Sequence, residues 1–203
     1  MTYHDRNTRL PAKRPHLDTG ALELKAGTIG LREATLRTVR PSIRPVWVHY
    51  FLGRGRPQNL GFFGLDRQFE RHPRVRSAIQ NFQRQILSLS SSEANSICKA
   101  DGRKRNVRMD YKGRERINVL SDRDLTLIGN ATLDCRADIS LRVNCAERLM
   151  EVEAAMLLSL QDAFADVRDL RSEIPGNQEI PPGRGFRLVY DWLVRFRQPS
   201  RPV

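Results

Sequence analysis

The chain is poor in the residues on which protein chemistry most often rests. It has four histidines, His4, His16, His49 and His72, all in the N-terminal part and in unrelated contexts. No two of them stand at helical ligand spacing and no Cys-x-x-Cys occurs, so the common structural zinc patterns are excluded. Three cysteines, Cys98, Cys135 and Cys145, lack paired spacing. They argue against a disulfide scaffold and fit a reducing compartment. No stretch approaches the roughly 18 apolar residues that a membrane-crossing helix needs, and the opening MTYHDR has no apolar centre of the kind a secretory signal carries. Lysine is scarce too, with 5 against 30 arginines. A GC-rich genome would write that ratio, although the flat guanidinium fork also suits bidentate contacts to carboxylate or phosphate.

What is abundant is positive charge, and it is segregated. Residues 1–116 hold 24 basic and 10 acidic side chains, whereas residues 117–203 hold 11 and 13. Codon bias does not explain that asymmetry. An excess confined to one part of a chain favours an anionic partner for that part. The length of 203 residues suits one domain, or one domain with an arm, and 39% hydrophobic residues suffice for a core.

Residues 1–20 carry no apolar period and read as an extended basic arm. Residues 21–116 form a basic N-terminal region. Within it 21–40 are ambiguous between strand and helix, and VWVHYFL at 46–52 reads as a short buried strand. An amphipathic helix over 73–88 places Val75, Ile79, Phe82 and Ile86 on one stripe. The serine run Ser88 to Ser92 ends it or caps a short helix containing Glu93 to Lys99. From residue 106, Val107, Met109 and Tyr111 alternate with polar residues up to the turn signal Lys112-Gly113, which predicts a β-hairpin. Residues 117–203 read as strand, helix, strand. Leu133 to Val143 alternate strictly, the spacing of Leu149, Val152, Met156 and Leu160 predicts a helix over 146–170, and Phe186 to Phe196 alternate again. The fold class expected is α+β: a mainly antiparallel sheet with long strands, a long helix on one face, and the basic arm.

Searching this inventory for chemistry yields little. His49 in an apolar run is more economically a satisfied half-buried histidine than a ligand. Cys135 falls on the apolar face of its strand, as a small core residue would. Cys145 opens the expected helix, where a thiol pKa can fall, but no histidine is near it in sequence. Gly53-Arg54-Gly55-Arg56 lacks both the P-loop ending and the dinucleotide fingerprint. Arg54 and Arg56 remain candidates for an anionic contact. The best binding candidate is the hairpin, with Arg103, Lys104, Arg105, Arg108, Lys112, Arg114 and Arg116 spread over fourteen residues and Tyr111 available for stacking. Asp134, Arg136, Asp138 and Arg142 share the polar face of one strand and suit a cross-strand or cross-subunit salt ladder. Neither a catalytic set nor a metal site nor a cofactor cradle can be assembled from these residues.

Three segments together, TLDCRADISLRVN, AERLMEVEAAMLLSLQDAFADVRDL and GFRLVYDWLVRFRQ, resemble the tail-terminator (tail-completion) proteins of long-tailed bacteriophages over residues 132–198. The resemblance implies a ring-forming structural subunit without enzymatic activity, in a virion tail or neck, as terminator or head–tail connector. Its partners would be copies of itself and other structural proteins, with no membrane, and assembly would take place in the host cytoplasm. The alternative expectation is an RNA- or DNA-binding protein, such as a ribosomal or organellar ribosomal component, that uses the same basic region.

Overall fold

The computed structural model describes residues 33, 37, 41–42, 44–100, 103–119, 125, 128–164 and 184–202. The expected arm over residues 1–20 and nearly all of the ambiguous segment 21–40 lie outside these. The elements run α1 (Arg44–Leu52), β1 (Gln58–Asn59), a 3-10 turn (Leu60–Phe63), α2 (Asp66–Arg71), α3 (Pro73–Ala100), β2 (Arg105–Asn118), β3 (Asn130–Asn144), β4 (Leu149–Phe164) and β5 (Phe186–Pro202). One sheet has the order β1-β5-β4-β3-β2. Its four long strands are antiparallel, and two-residue β1 lies parallel to β5 through Gln58–Leu188 and Asn59–Val189. The fold is therefore α+β, a mainly antiparallel sheet of long strands with a long helix on one face.

That helix is α3, and it runs 28 residues. The serine run does not end it. Ser90 is fully buried and continues the stripe Val75, Ala78, Phe82, Ile86, Ser90, Ala94, one residue per turn against the sheet. Small side chains at Ser90 and Ala94 let the far end of the helix lie close to the strands. Asn81 donates to Glu115 while Gln85 accepts from the Tyr111 hydroxyl, so α3 runs antiparallel to β2. Register across the sheet then assembles the core in rows, for example Met109, Ile139, Ala154, Phe196 and Gly113, Cys135, Leu158, Trp192.

Several expectations are corrected. The helix expected over 146–170 is strand β4 where it is described, so among the described residues β3 is followed by a strand and not by a helix. Its residues at steps of three and four mimic a helix, but Met150, Val152, Ala154, Met156, Leu158 and Leu160 also alternate, and all six are buried. A central strand between β3 and β5 satisfies them; outward Leu149, Ala155 and Leu157 had hidden the two-residue period. Conversely, the apolar run 46–52 is helix α1. Pro45 fits its first turn, and Val46, Trp47, Tyr50 and Phe51 are the buried set, a helical spacing.

The expected hairpin turn at Lys112-Gly113 is mid-strand, because β2 pairs with β3 continuously from Arg105–Val143 to Asn118–Asn130. Gly113 is there for space. A Cβ at this position would lie 2.9 Å from the Phe82 ring and closer still to the Tyr111 hydroxyl group. The boundary expected at 116/117 falls inside β2, and buried residues on both sides of it belong to one core.

The cysteine reading is corrected as well. Cys98, in the last turn of α3, and Cys145, in the β3–β4 turn, form a disulfide with their Cα atoms 5.3 Å apart. Sequence spacing could not show it, since the antiparallel course of α3 brings together residues 47 positions apart. With the bridge goes the ground for a reducing compartment, because such bonds persist in oxidising surroundings.

A loop of that length (separation 47) costs the unfolded chain about 4 kcal/mol of closure entropy when bridged. Reduction, or Cys98→Ser with Cys145→Ser, should therefore lower the unfolding free energy by about 2–4 kcal/mol. Urea titration followed by circular dichroism reads this directly. Coincident curves with and without reductant would contradict it.

Candidate interaction surface

Alternation along each strand sends every second side chain away from α3. This builds an outer face of charged rows. On β2 it presents Arg108, Asp110, Lys112, Arg114 and Arg116; on β3, Asp134, Arg136, Asp138, Ser140 and Arg142; on β4, Glu151, Glu153, Ala155, Leu157 and Ser159; on β5, Arg187, Asp191, Leu193, Arg195 and Arg197. Among the described residues no element covers this face.

Four of the seven cations expected in the hairpin, Arg108, Lys112, Arg114 and Arg116, thus share one face of β2. Arg103 and Lys104 precede the strand and Arg105 begins it, all three exposed. Arg114 is engaged: its Nε and Nη2 donate to the Asp134 carboxylate at 2.6 and 3.2 Å, a pairing that raises the Arg114 pKa. Asp134, Arg136, Asp138 and Arg142 lie on β3, a central strand, so they cannot pair edge to edge with another subunit. The links the structure shows there are within the chain: Arg114–Asp134, and Arg142–Glu151 at 3.8 Å. Arg197 meets Glu153 at 3.2 Å. Asp110 and Asp138 stand opposite each other in register, a like-charge pairing that costs stability.

Arg54 and Arg56 are not brought to this group. They sit in the exposed loop after α1, next to the β1–β5 side, while β2 ends the opposite side of the sheet. Arg54 has a positive φ of 54°, and the Arg56 carbonyl accepts from His49 Nε2 at 2.9 Å. His49 itself is half-buried on α1, edge-on to Phe186 with ring centroids 4.5 Å apart. A backbone contact and an aromatic neighbour account for it.

Two features of the outer face escaped the sequence. Leu157 and Leu193 are register partners in the middle of it, 44% and 52% exposed. Beside them small Ala155 and Ser140 leave a hollow of about 530 Å³ with Asp138, Glu153, Arg195 and Arg197 around it. The helical period hides Leu157 and the inward alternation of Phe186 to Phe196 hides Leu193; following the outward positions of β4 and β5 at a period of two finds the pair. On the inner side, the Tyr190 hydroxyl donates to Glu70 on α2, and burial followed by that bond raises its pKa strongly.

Comparisons with known proteins add two structures. No family model matches the chain, and no curated protein does. Two crystal structures of pectocin M2 align with it, one at 15% identity over 86% of this chain with a TM-score of 0.36, the other at 14% over 92% with a TM-score of 0.33. In both the chain spans 63% of the pectocin M2 chain.

Cys135 is buried beneath the outer face, and burial pushes its thiol up to about 11 from 9.0. The oxidised native protein should therefore resist iodoacetamide at pH 8, and the unfolded protein should take up one label per chain at Cys135. The raised folded pKa sets the sign of the pH dependence. The thiol's contribution is intact below about pH 9 and is lost as pH rises towards 11. Mass spectrometry after labelling checks the first expectation, and alkaline urea midpoints of wild type against Cys135→Ala check the second. Labelling of the native fold at pH 8 would contradict both.

Proposed function

We propose that this protein is a non-catalytic structural subunit of a larger assembly, the class to which virion tail and neck components belong, and that it joins other copies through the outer face of its sheet. The observation that carries this reading is the Leu157–Leu193 pair. Two large apolar side chains lie opposite one another at the centre of a sheet face, framed by charges of both signs. Isolated exposed leucines are ordinary, whereas an apolar centre with a polar rim is the anatomy of a protein contact. The mixed rows around it favour protein over nucleic acid, since Asp110, Asp134 and Asp138 interrupt the cations that a phosphate backbone would need in sequence. The hollow bordered by Ala155 gives the face relief into which a partner's side chain fits.

The test is oligomeric state. Light scattering on the purified oxidised chain should show a mass that grows with concentration above the monomer's 23.4 kDa. Leu157→Asp with Leu193→Asp should reduce it to monomer without changing the circular dichroism spectrum. A wild-type monomer at 100-micromolar concentrations, on the order expected for weak interfaces, overturns the reading, as does an oligomer indifferent to both substitutions.

A further inference from the structure

A different part of the sheet points to a second partner. Strand β2 is terminal in the sheet among the described residues, and it is 14 residues long. In an antiparallel ladder alternate residues of such a strand turn their N–H and C=O groups outward, and an extended segment can add itself there. Long edges of this kind normally carry features that prevent indiscriminate pairing. Here the feature is selective. Towards the outer face β2 sets Arg108, Lys112 and Arg116, cations for which no hydrogen bond or ion pair is found with any described residue, leaving only Arg114 paired.

Towards the inner face it sets Val107, Met109 and Tyr111, which are only half-buried although α3 lies over them. Their register partners on β3, Leu141, Ile139 and Ala137, are buried. The difference is the missing neighbour on one side. A strand added to β2 would cover that apolar row with its own inward residues and meet the cations with its outward ones.

We infer that the β2 edge takes up an extended segment of a different protein in which apolar residues alternate with acidic ones. Charge disfavours a second copy of the described strands. Paired with itself about Lys112, β2 would set Lys112 against Lys112 and, twice, Arg108 against Arg116, with Asp110 facing Arg114 at the two positions between, and β5 brings Arg187, Arg195 and Arg197 on its outer face against one aspartate. Like charges opposite one another across a sheet are unfavourable, whereas glutamate or aspartate every second residue meets a cation at four of the five outward positions of β2, Asp110 being the exception. The inference rests on the assembly reading only in supplying a partner for it, and uses a surface separate from the Leu157–Leu193 pair.

A twelve-residue peptide alternating valine and glutamate, a matching valine–lysine peptide and the oxidised full chain provide the test. The glutamate peptide should bind at least tenfold more tightly than the lysine peptide, more weakly as salt rises, and should slow hydrogen exchange of amides within 105–118. Arg108→Glu with Lys112→Glu and Arg116→Glu should invert the preference while leaving the circular dichroism spectrum intact. Equal binding of both peptides, or protection appearing elsewhere, overturns the inference. So do outward β2 amides already protected in the free protein, which would mean that the edge is occupied. An RNA oligonucleotide that binds through these cations while neither peptide protects β2 would reassign them to a polyanion. A chain that stays monomeric in light scattering yet binds the glutamate peptide would sink the assembly reading alone.

Discussion

The structure depends on one packing contact, the long helix α3 laid along the inner face of β2, β3 and β4, antiparallel to β2. A 28-residue helix rises about 42 Å, and strands of 14 to 16 residues span about 46–53 Å, so helix and sheet cover each other over most of their length. Phe82 is the largest side chain on the buried stripe of α3. It is fully buried and meets β2 where Gly113 has no side chain, with the Tyr111 ring edge-on beside it. A phenylalanine so placed is worth about 3–5 kcal/mol against alanine. The absent side chain across from it is part of the same fit, since any Cβ at 113 would have to displace a ring.

The disulfide reinforces this contact at its weaker end. Beyond Ile86 the stripe of α3 changes from large residues to Ser90 and Ala94, which bury less apolar surface per turn. Cys98 follows them, tied to the β3–β4 turn. Covalent closure thus stands where hydrophobic burial thins out, and the helix is fixed at both ends by different means: rings near its start and a bond near its finish.

How far the sequence exposes this arrangement depends on how many faces each segment must satisfy. Residues 133–143 and 186–196 have one apolar and one polar face for most of their length, and their alternation is plain. The start of α3 is equally clear, because Val75, Phe82 and Ile86 face a single surface. Strand β4 is different. It lies between two long strands and carries apolar residues outward as well as inward, so its period of two is overwritten, and its alanines, leucines and methionines favour helix intrinsically. Tertiary pairing outweighs that preference. Segment 46–52 shows the converse, β-branched and aromatic residues held in a short helix because Trp47, Tyr50 and Phe51 must pack on one another. The disulfide and Gly113 were out of reach for a shared reason: each depends on the relative position of α3 and the sheet, which no local spacing encodes.

The same logic governs the candidate surfaces. The cations of β2 were visible as a run, but their meaning changes with geometry. In a hairpin they would surround a tip and offer a compact positive lobe. Along a straight edge Lys112, Arg114 and Arg116 follow one another at about 7 Å and Arg108 stands about 13 Å from Lys112 across Asp110, with Arg114 drawn off by Asp134 and the β3 carboxylates standing one strand inward. A row of that spacing is matched to another strand's side chains rather than to a phosphate backbone, whose charges follow a helical path. Towards the middle of the sheet the cations give way to Leu157 and Leu193, so charge selects at the rim and apolar area contributes at the centre. Both surfaces exist because, among the described residues, α3 covers one face of the sheet alone, leaving the other face and the edge along β2 uncovered.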